Sequence, residues 1–303
     1  MITIKHLMIF KEVARVKSMS KAAENLYISQ PTISQKIQEI ENYYHVKLFA
    51  RNSRFLAISE EGKILLDHAN RVLSEMEAID ETFFHNRQNI TLRVGFTLTV
   101  GSTIASSLVE NIQKEYPYLN IQAYVDNTQS IENLLLDNQL DIGIVEGDIH
   151  NESITHEPII PDHLVLVCHP ANALSKYDCI TIEQLHNQPF VLREKGSGTR
   201  AKLEQFLNLY KIPYYVTWQC HSWGSVKQAT LHNQGLTLIS IRLVEEELEK
   251  GTLHALKIQN WNWNRMFSLC YHKNKTWNPN LEIFRQAAIH AIQCPLIDFQ
   301  KNK

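Results

Sequence analysis

Residues 20–40 constrain the fold more than any other stretch. Ser20-Lys21-Ala22-Ala23-Glu24-Asn25-Leu26 offers a capping Ser, two small residues and one Leu, a composition that lets another helix cross at close range. Tyr27-Ile28-Ser29-Gln30-Pro31 then reads as a turn, with Ser29 as cap and Pro31 in the next first turn, where a missing N–H costs little. Ile33, Ile37 and Ile40 share one face of the helix that starts there; Pro31, Thr32, Gln35 and Gln38 lie opposite, with Ser34 and Lys36 on the flanks. A preceding helical pattern holds Ile4, Leu7, Met8, Val13 and Ala14. Two short helices joined at this spacing predict a helix-turn-helix. The outer face is short, polar and mostly uncharged, which suits base edges in a DNA major groove: Gln can bond adenine in a bidentate way, and Ser or Thr can donate or accept. Taken singly, each polar residue fits an ordinary solvated face better, but a solvated face does not account for two short helices joined at this spacing, and groove recognition is favoured.

Val46 to Ile58 reads as two extended pieces around a polar turn that holds Arg51 and Arg54, a wing whose arginines can grip phosphates or enter a narrow minor groove. Charge supports this placement. Residues 1–66 carry 10 Lys and Arg against 6 Asp and Glu, whereas the remainder carries 20 against 26. A basic head on an acidic body fits an anion-binding module joined to a separate domain.

The pattern Ala22-Ala23-x-x-Leu26-x-x-Ser29-Gln30-Pro31-x-x-Ser34, then Leu48-Phe49-x-Arg51 and Ser59-x-x-Gly62, resembles LysR-type transcriptional regulators. The likeness is close over the first 65 or so residues, and the layout of the remainder is similar. It implies double-stranded DNA as partner, with Ser29, Gln30, Pro31, Thr32, Ser34, Gln35 and Lys36 as groove-facing candidates and Arg51 and Arg54 as wing candidates. One departure stands out: the position after Ser34, often Arg in the family, is Gln35, with Lys36 beside it. A target sequence unlike that of typical members is therefore expected.

From Ser59, a plausible cap, a helical pattern runs to about Arg87, with Leu65, Ala69, Val72, Met76, Ile79 and Phe83 at alternating steps of four and three. Such a stripe faces a partner helix or the chain's own core, and the resemblance favours a partner. At ~1.5 Å per residue the helix would extend about 43 Å, and a homodimer or homotetramer is expected through it and the domain beyond.

After residue 90, short β-like runs (Leu92–Phe96, Ile121–Val125, Asp141–Val145) alternate with helical patterns near 103–115 and 130–138; a similar series includes Leu164 onward, Phe190–Leu192, Tyr215–Gln219, Leu236–Ile241 and Phe267–Tyr271. Alternation of this kind predicts parallel sheets covered by helices, with ligands beyond the carboxyl ends of strands. Thr97 and Thr99 would precede a helix beginning near Ser102, and Thr128 another. Lys195-Gly196-Ser197-Gly198-Thr199-Arg200 offers glycines, hydroxyls and a cation to an anion, and Trp223 an aromatic wall. Thr97, Thr99, Thr128, Ser197, Thr199 and Trp223 are thus effector-site candidates, although Ser or Thr before a helix is most often a plain cap. The resemblance implies a periplasmic-binding-protein-like domain of two subdomains, and the Gly-Ser-Gly-Thr-Arg stretch is similar to the branch of regulators of carbon fixation and sulfur metabolism.

The expected organisation is a multidomain chain: an all-α winged helix-turn-helix head (1–58), a linker helix (59–89) and an α/β effector domain (90–303), with subdomain I about 90–161 and 266–303 and subdomain II about 162–265. The expected function is DNA-binding regulation modulated by a small, anionic metabolite. Rival classes fare worse. No Gly-x-Gly-x-x-Gly, Walker loop, His-Glu-x-x-His or Gly-x-Ser-x-Gly occurs, so no enzyme, cofactor or metal site is expected. A solute-binding protein would need an export signal and no basic head, and the N-terminus shows no such signal. The five cysteines form no Cys-x-x-Cys pair, and none falls between Gly196 and Lys211, where peroxide-sensing relatives keep their reactive pair. The longest apolar run, Leu164–Cys168, is far too short to span a membrane, and a reducing cytoplasm is expected.

Overall fold

Thr3 opens α1 (Ile4–Val16) in the computed structural model, which describes residues 1–52, 55–83, 90–149 and 151–291. Ser18, rather than the expected Ser20, caps α2 (Met19–Asn25), because its side chain sits where it can accept from the Lys21 amide. Ser29 accepts from the Thr32 amide and starts α3 (Gln30–Tyr44), with Pro31 in the first turn as expected. The antiparallel hairpin of β1 (Phe49–Asn52) and β2 (Phe55–Ile58) follows, then α4 (Glu60–Phe83). Ser59 caps α4, its Oγ accepting from the Gly62 amide at 2.9 Å.

Two compact units emerge: Met1–Gln88 with Asn274–Thr276, and Asn89–Lys273 with Trp277–Lys303. The first has a core of Ile9, Phe10, Val13, Ala22, Ala23, Ile33, Ile37, Ile40, Leu48, Phe49 and Ala69. The isoleucine periodicity of α3 is what buries that helix. Gly62 is required by contact: a Cβ there would stand 2.4 Å from the Leu48 carbonyl oxygen. The α4 stripe divides. Ala69 is fully buried and Leu65 partly buried in the head's own core, so these two positions do not serve a partner seam. Val72, Met76 and Ile79 are exposed. The expected continuation to Arg87 lies outside the described residues.

In the second unit, β3 (Ile90–Thr97) leads into α5 (Leu98–Thr103) and α6 (Ala105–Glu115), then β4 (Leu119–Asp126), α7 (Thr128–Leu136) and β5 (Ile142–Glu146). A 15-residue strand, β6 (Ile154–Cys168), precedes β7 (Gln188–Arg193), α8 (Gly198–Leu209), β8 (Tyr214–Cys220), α9 (Trp223–Leu231) and β9 (Thr237–Ser240). The chain continues through α10 (Glu245–Glu249), β10 (His254–Leu256), β11 (Asn264–His272) and α11 (Pro279–His290). The expectation of parallel sheets is corrected here. β3 pairs in parallel with β4 and β5, and β7 with β8, but β11 runs antiparallel to β5 and β6, and β6 antiparallel to β9 and β10. The reversal arises because β6 and β11 carry the chain out of one core and back into it. One core holds Leu92–Ile160 positions with Phe267, Leu269 and Phe284; another begins at Leu164 and ends at Trp263.

A buried ionic cluster sits where β6 and β11 cross. Arg265 donates through Nε to Asp162 at 2.7 Å and through Nη1 to the Thr199 hydroxyl at 2.8 Å, and its Nη2 lies 3.3 Å from Glu146. Asp162 also accepts from the Ser240 hydroxyl at 2.7 Å. Burial pushes the Glu146 carboxyl above the usual carboxylate range; Arg265 opposes this, and the charge of Asp162 adds to the rise.

Gly62→Ala should cost about 1–3 kcal/mol in urea unfolding, whereas Gly224→Ala, which meets only the Ser222 hydroxyl at 4.0 Å, should cost nothing measurable. Equal curves for the two variants would contradict the Gly62 contact. Arg265→Met, which strands two buried carboxylates, should cost about 3–5 kcal/mol. Because the folded-state pKa of Glu146 is raised, its contribution is full below the ordinary carboxylate range and lost as pH rises through the raised value. Glu146→Gln should therefore gain stability relative to the parent as pH rises above the ordinary carboxylate range. A pH-independent difference would contradict this assignment.

Candidate functional site

The first site is the outer face of α3. Ser29, Gln30, Pro31, Gln35 and Gln38 are exposed, and Thr32, Ser34 and Lys36 are half-buried. Ser29 and Thr32 hydroxyls lie 2.8 Å apart, so the cap also orients a neighbour. Gln35 and Lys36 share one acceptor that the sequence reading passed over: Gln35 Nε2 donates to Glu39 Oε1 at 2.9 Å, and Lys36 Nζ to Oε2 at 2.7 Å. The i, i+3 and i, i+4 spacings were the signal available for it. His6 Nε2, from α1, also stands 2.8 Å from Oε2. Hydrogen bonds from Lys36 first and His6 second draw the Glu39 carboxyl down to about 2. Tyr27, which the sequence places in the turn before α3, is almost wholly exposed and holds a left-handed φ of 54°. Arg51 falls on β1 opposite Leu56, and Arg54 lies outside the described residues.

The second site is a cleft of about 710 Å³ in the second unit. Thr128 and Ser197 line it, together with Gln129, His156, Lys195, Arg200, Lys202 and Arg265. Thr128 donates to the Glu146 carbonyl at 2.6 Å, and Ser197 caps α8. Gly198 serves backbone packing, since a Cβ there would lie 2.3 Å from the Glu146 carbonyl oxygen, and Gly196 holds a left-handed φ of 91°. Arg200 donates to Glu204 and, through Nη1, to the Arg193 carbonyl and Gln219.

The other candidate hydroxyls converge on the buried cluster instead of the cleft. Thr97 is the residue before α5, which begins at Leu98 and not near Ser102, and its hydroxyl accepts from the Glu146 amide at 3.1 Å. Thr99 accepts from Trp223 Nε1 at 3.1 Å and bonds the Glu146 carboxyl. Thr199 is held by Arg265 at 2.8 Å. Trp223 also lies under the Arg193 guanidinium, 4.7 Å from its ring centre. Four of the six candidates are thus joined in one buried network whose charged members, Glu146, Asp162, Arg193 and Arg265, carried no helix-start or glycine signal in the sequence.

Burial pushes the thiols of Cys168 and Cys270 up to about 11 and about 12, and that of Cys220 upward as well, which disfavours the reactive thiolate. Cys179 is exposed. Among the described residues no His, Cys, Asp and Glu group is arranged to hold a metal, and no helix is long and apolar enough to cross a membrane.

Comparison with known proteins covers both parts of the chain. Residues 4–63 match the bacterial regulatory helix-turn-helix protein, lysR family, and residues 85–293 match the LysR substrate binding domain. The uncharacterized HTH-type transcriptional regulator YeiE of Escherichia coli (strain K12) is 30% identical over 90% of this chain and 92% of its own. A probable RuBisCO transcriptional regulator of Chlorokybus atmophyticus is 28% identical over 97% of each, in keeping with the carbon-fixation branch. The regulatory domain of Synechocystis CcmR, solved in complex with 2-PG, superposes with a TM-score of 0.63 at 21% identity, covering 67% of this chain and 98% of that one. A winged head and an effector-binding α/β domain on one chain, each matched by its own family description, make this chain a member of the LysR family of DNA-binding transcriptional regulators, and not an enzyme.

Proposed function

We propose that the chain reads DNA with α3 and its wing, as a homodimer or homotetramer in the cytoplasm, and that a small anionic metabolite in the cleft of the second unit modulates this binding. No metal or cofactor enters the reading. The observation that carries it is the cleft of about 710 Å³ with Lys195, Arg200, Lys202 and Arg265 on its walls, on a chain that also exposes the polar face of α3. A volume of this size suits a small metabolite. The complex of CcmR with 2-PG supports a small ligand in this kind of domain. An anion against Arg265 would compete with Glu146, a carboxyl whose charge is disfavoured by burial. Such a competition gives ligand-bound and ligand-free states different internal ion pairs, the differential interaction that a switch requires. The exposed Val72, Met76 and Ile79 of α4 offer a partner helix an apolar strip, and the resemblance stated above favours a second copy as that partner.

Mobility shifts of the purified chain on DNA from around its own coding region, across salt concentrations, test the first half. Specific binding that weakens with salt is expected; Arg54→Ala should weaken all sequences alike and lower the salt slope by about 1. A thermal-shift panel of phosphate and carboxylate metabolites, 2-PG included, tests the second. Lys195→Ala with Lys202→Ala should weaken the anion found by about tenfold or more and leave DNA affinity unchanged. An undiminished affinity in that double variant would remove the lysines from the site.

A further inference from the structure

Gln35 stands exposed on α3, and one neighbour decides which way its amide faces. Its Nε2 donates to Glu39 Oε1 at 2.9 Å. An ionised carboxylate offers only acceptors, so the nitrogen end of the amide must turn toward it and the carbonyl end away. Glu39 is itself fixed from two sides, by Lys36 at 2.7 Å and by His6 Nε2 at 2.8 Å. His6 is buried, and its Nδ1 accepts from the Thr3 amide at 3.2 Å, which places the ring proton on Nε2 as the donor to Glu39. A chain of bonds, Thr3 to His6 to Glu39 to Gln35, therefore runs from the start of α1 to the outer face of α3.

We infer that Glu39 is a positioning residue for base recognition: by taking one N–H of Gln35 it leaves that side chain with a carbonyl acceptor and a single N–H, the pair complementary to the N6 and N7 edge of adenine. Guanine presents two acceptors, O6 and N7, and would need two donors where one is already engaged; cytosine and thymine each satisfy only one of the two groups. The same carboxylate pairs with Lys36, which lessens the lysine's pull on phosphates and leaves discrimination to Gln35. Glu39 does not touch the base in this scheme; it acts through Gln35. The inference rests on the DNA-reading role of α3 proposed above.

Full-length chain would be used to select binding sites from a pool of random double-stranded DNA, and fluorescence anisotropy would then compare the selected duplex with its single-base variants at fixed salt. The parent should prefer adenine at one position of each half-site by roughly tenfold. Gln35→Ala and Glu39→Ala should each flatten that position to within about twofold while preserving preferences elsewhere, and the double variant should be no flatter. Glu39→Gln, whose amide oxygen can still accept from Gln35, should keep about threefold or more of the preference, and it remains a valid test should Glu39→Ala fail to fold. Glu39→Ala that weakens every duplex equally with the adenine preference intact overturns the inference, as does a parent that prefers another base where Gln35→Ala acts. A parent that enriches no sequence overturns the DNA-reading role of α3 itself, a failure separable from the other two.

Discussion

Two buried carboxylates, Glu146 and Asp162, share the guanidinium of Arg265, and the second unit is built around that sharing. Removing charges from water costs several kcal/mol per ion after relaxation, so a carboxylate persists inside only where a cation and hydrogen bonds meet it. Asp162 has both, with Arg265 and Ser240 on either side; Glu146 has the longer contact to Arg265 and carries the raised pKa. The three residues come from β6, β11 and the end of β5, and Thr199 brings α8 to the same guanidinium. Any change in how the flanking cores meet must therefore rearrange bonds at Arg265. Its side chain also lines the cleft, so a ligand there acts on a group already holding the domain together.

The head uses the same economy at smaller scale. Glu39 accepts from Gln35, Lys36 and His6, three side chains on two helices. Exposed ion pairs contribute little to stability, and this one is better understood as orientation than as strength. With the α3 core of Ile33, Ile37 and Ile40 setting the axis of the helix, Glu39 sets the direction of its polar side chains.

The head was largely legible in the sequence because its determinants are local. Isoleucines at steps of four and three, Ser29 before Pro31, and paired alanines each act within a turn or two, and the structure uses all of them. The second unit was less so. The first two thirds of β6 were missed because Pro158 and Pro161 interrupt them, and a proline inside a run argues against a strand; here the pairing of β6 with β11 shifts register between Phe267 and Ser268, the partner of Pro158. The three-residue β10 was too short to leave a pattern. Thr97 and Thr99 were found as hydroxyls at a strand end, but a hydroxyl awaiting a ligand and one bonded to Glu146 or Trp223 have the same sequence. Arg265 and Asp162 are more than 100 residues apart along the chain, beyond the reach of spacing arguments.

An effector can alter DNA binding only to the extent that it binds DNA-competent and DNA-incompetent arrangements with different affinity, and the effect is reciprocal. Titrating the cleft anion against the free chain and against the chain saturated with its DNA measures this directly. The account predicts two different affinities, related by the same factor by which the anion changes DNA affinity. Identical anion affinities in the free and DNA-bound chain would contradict it.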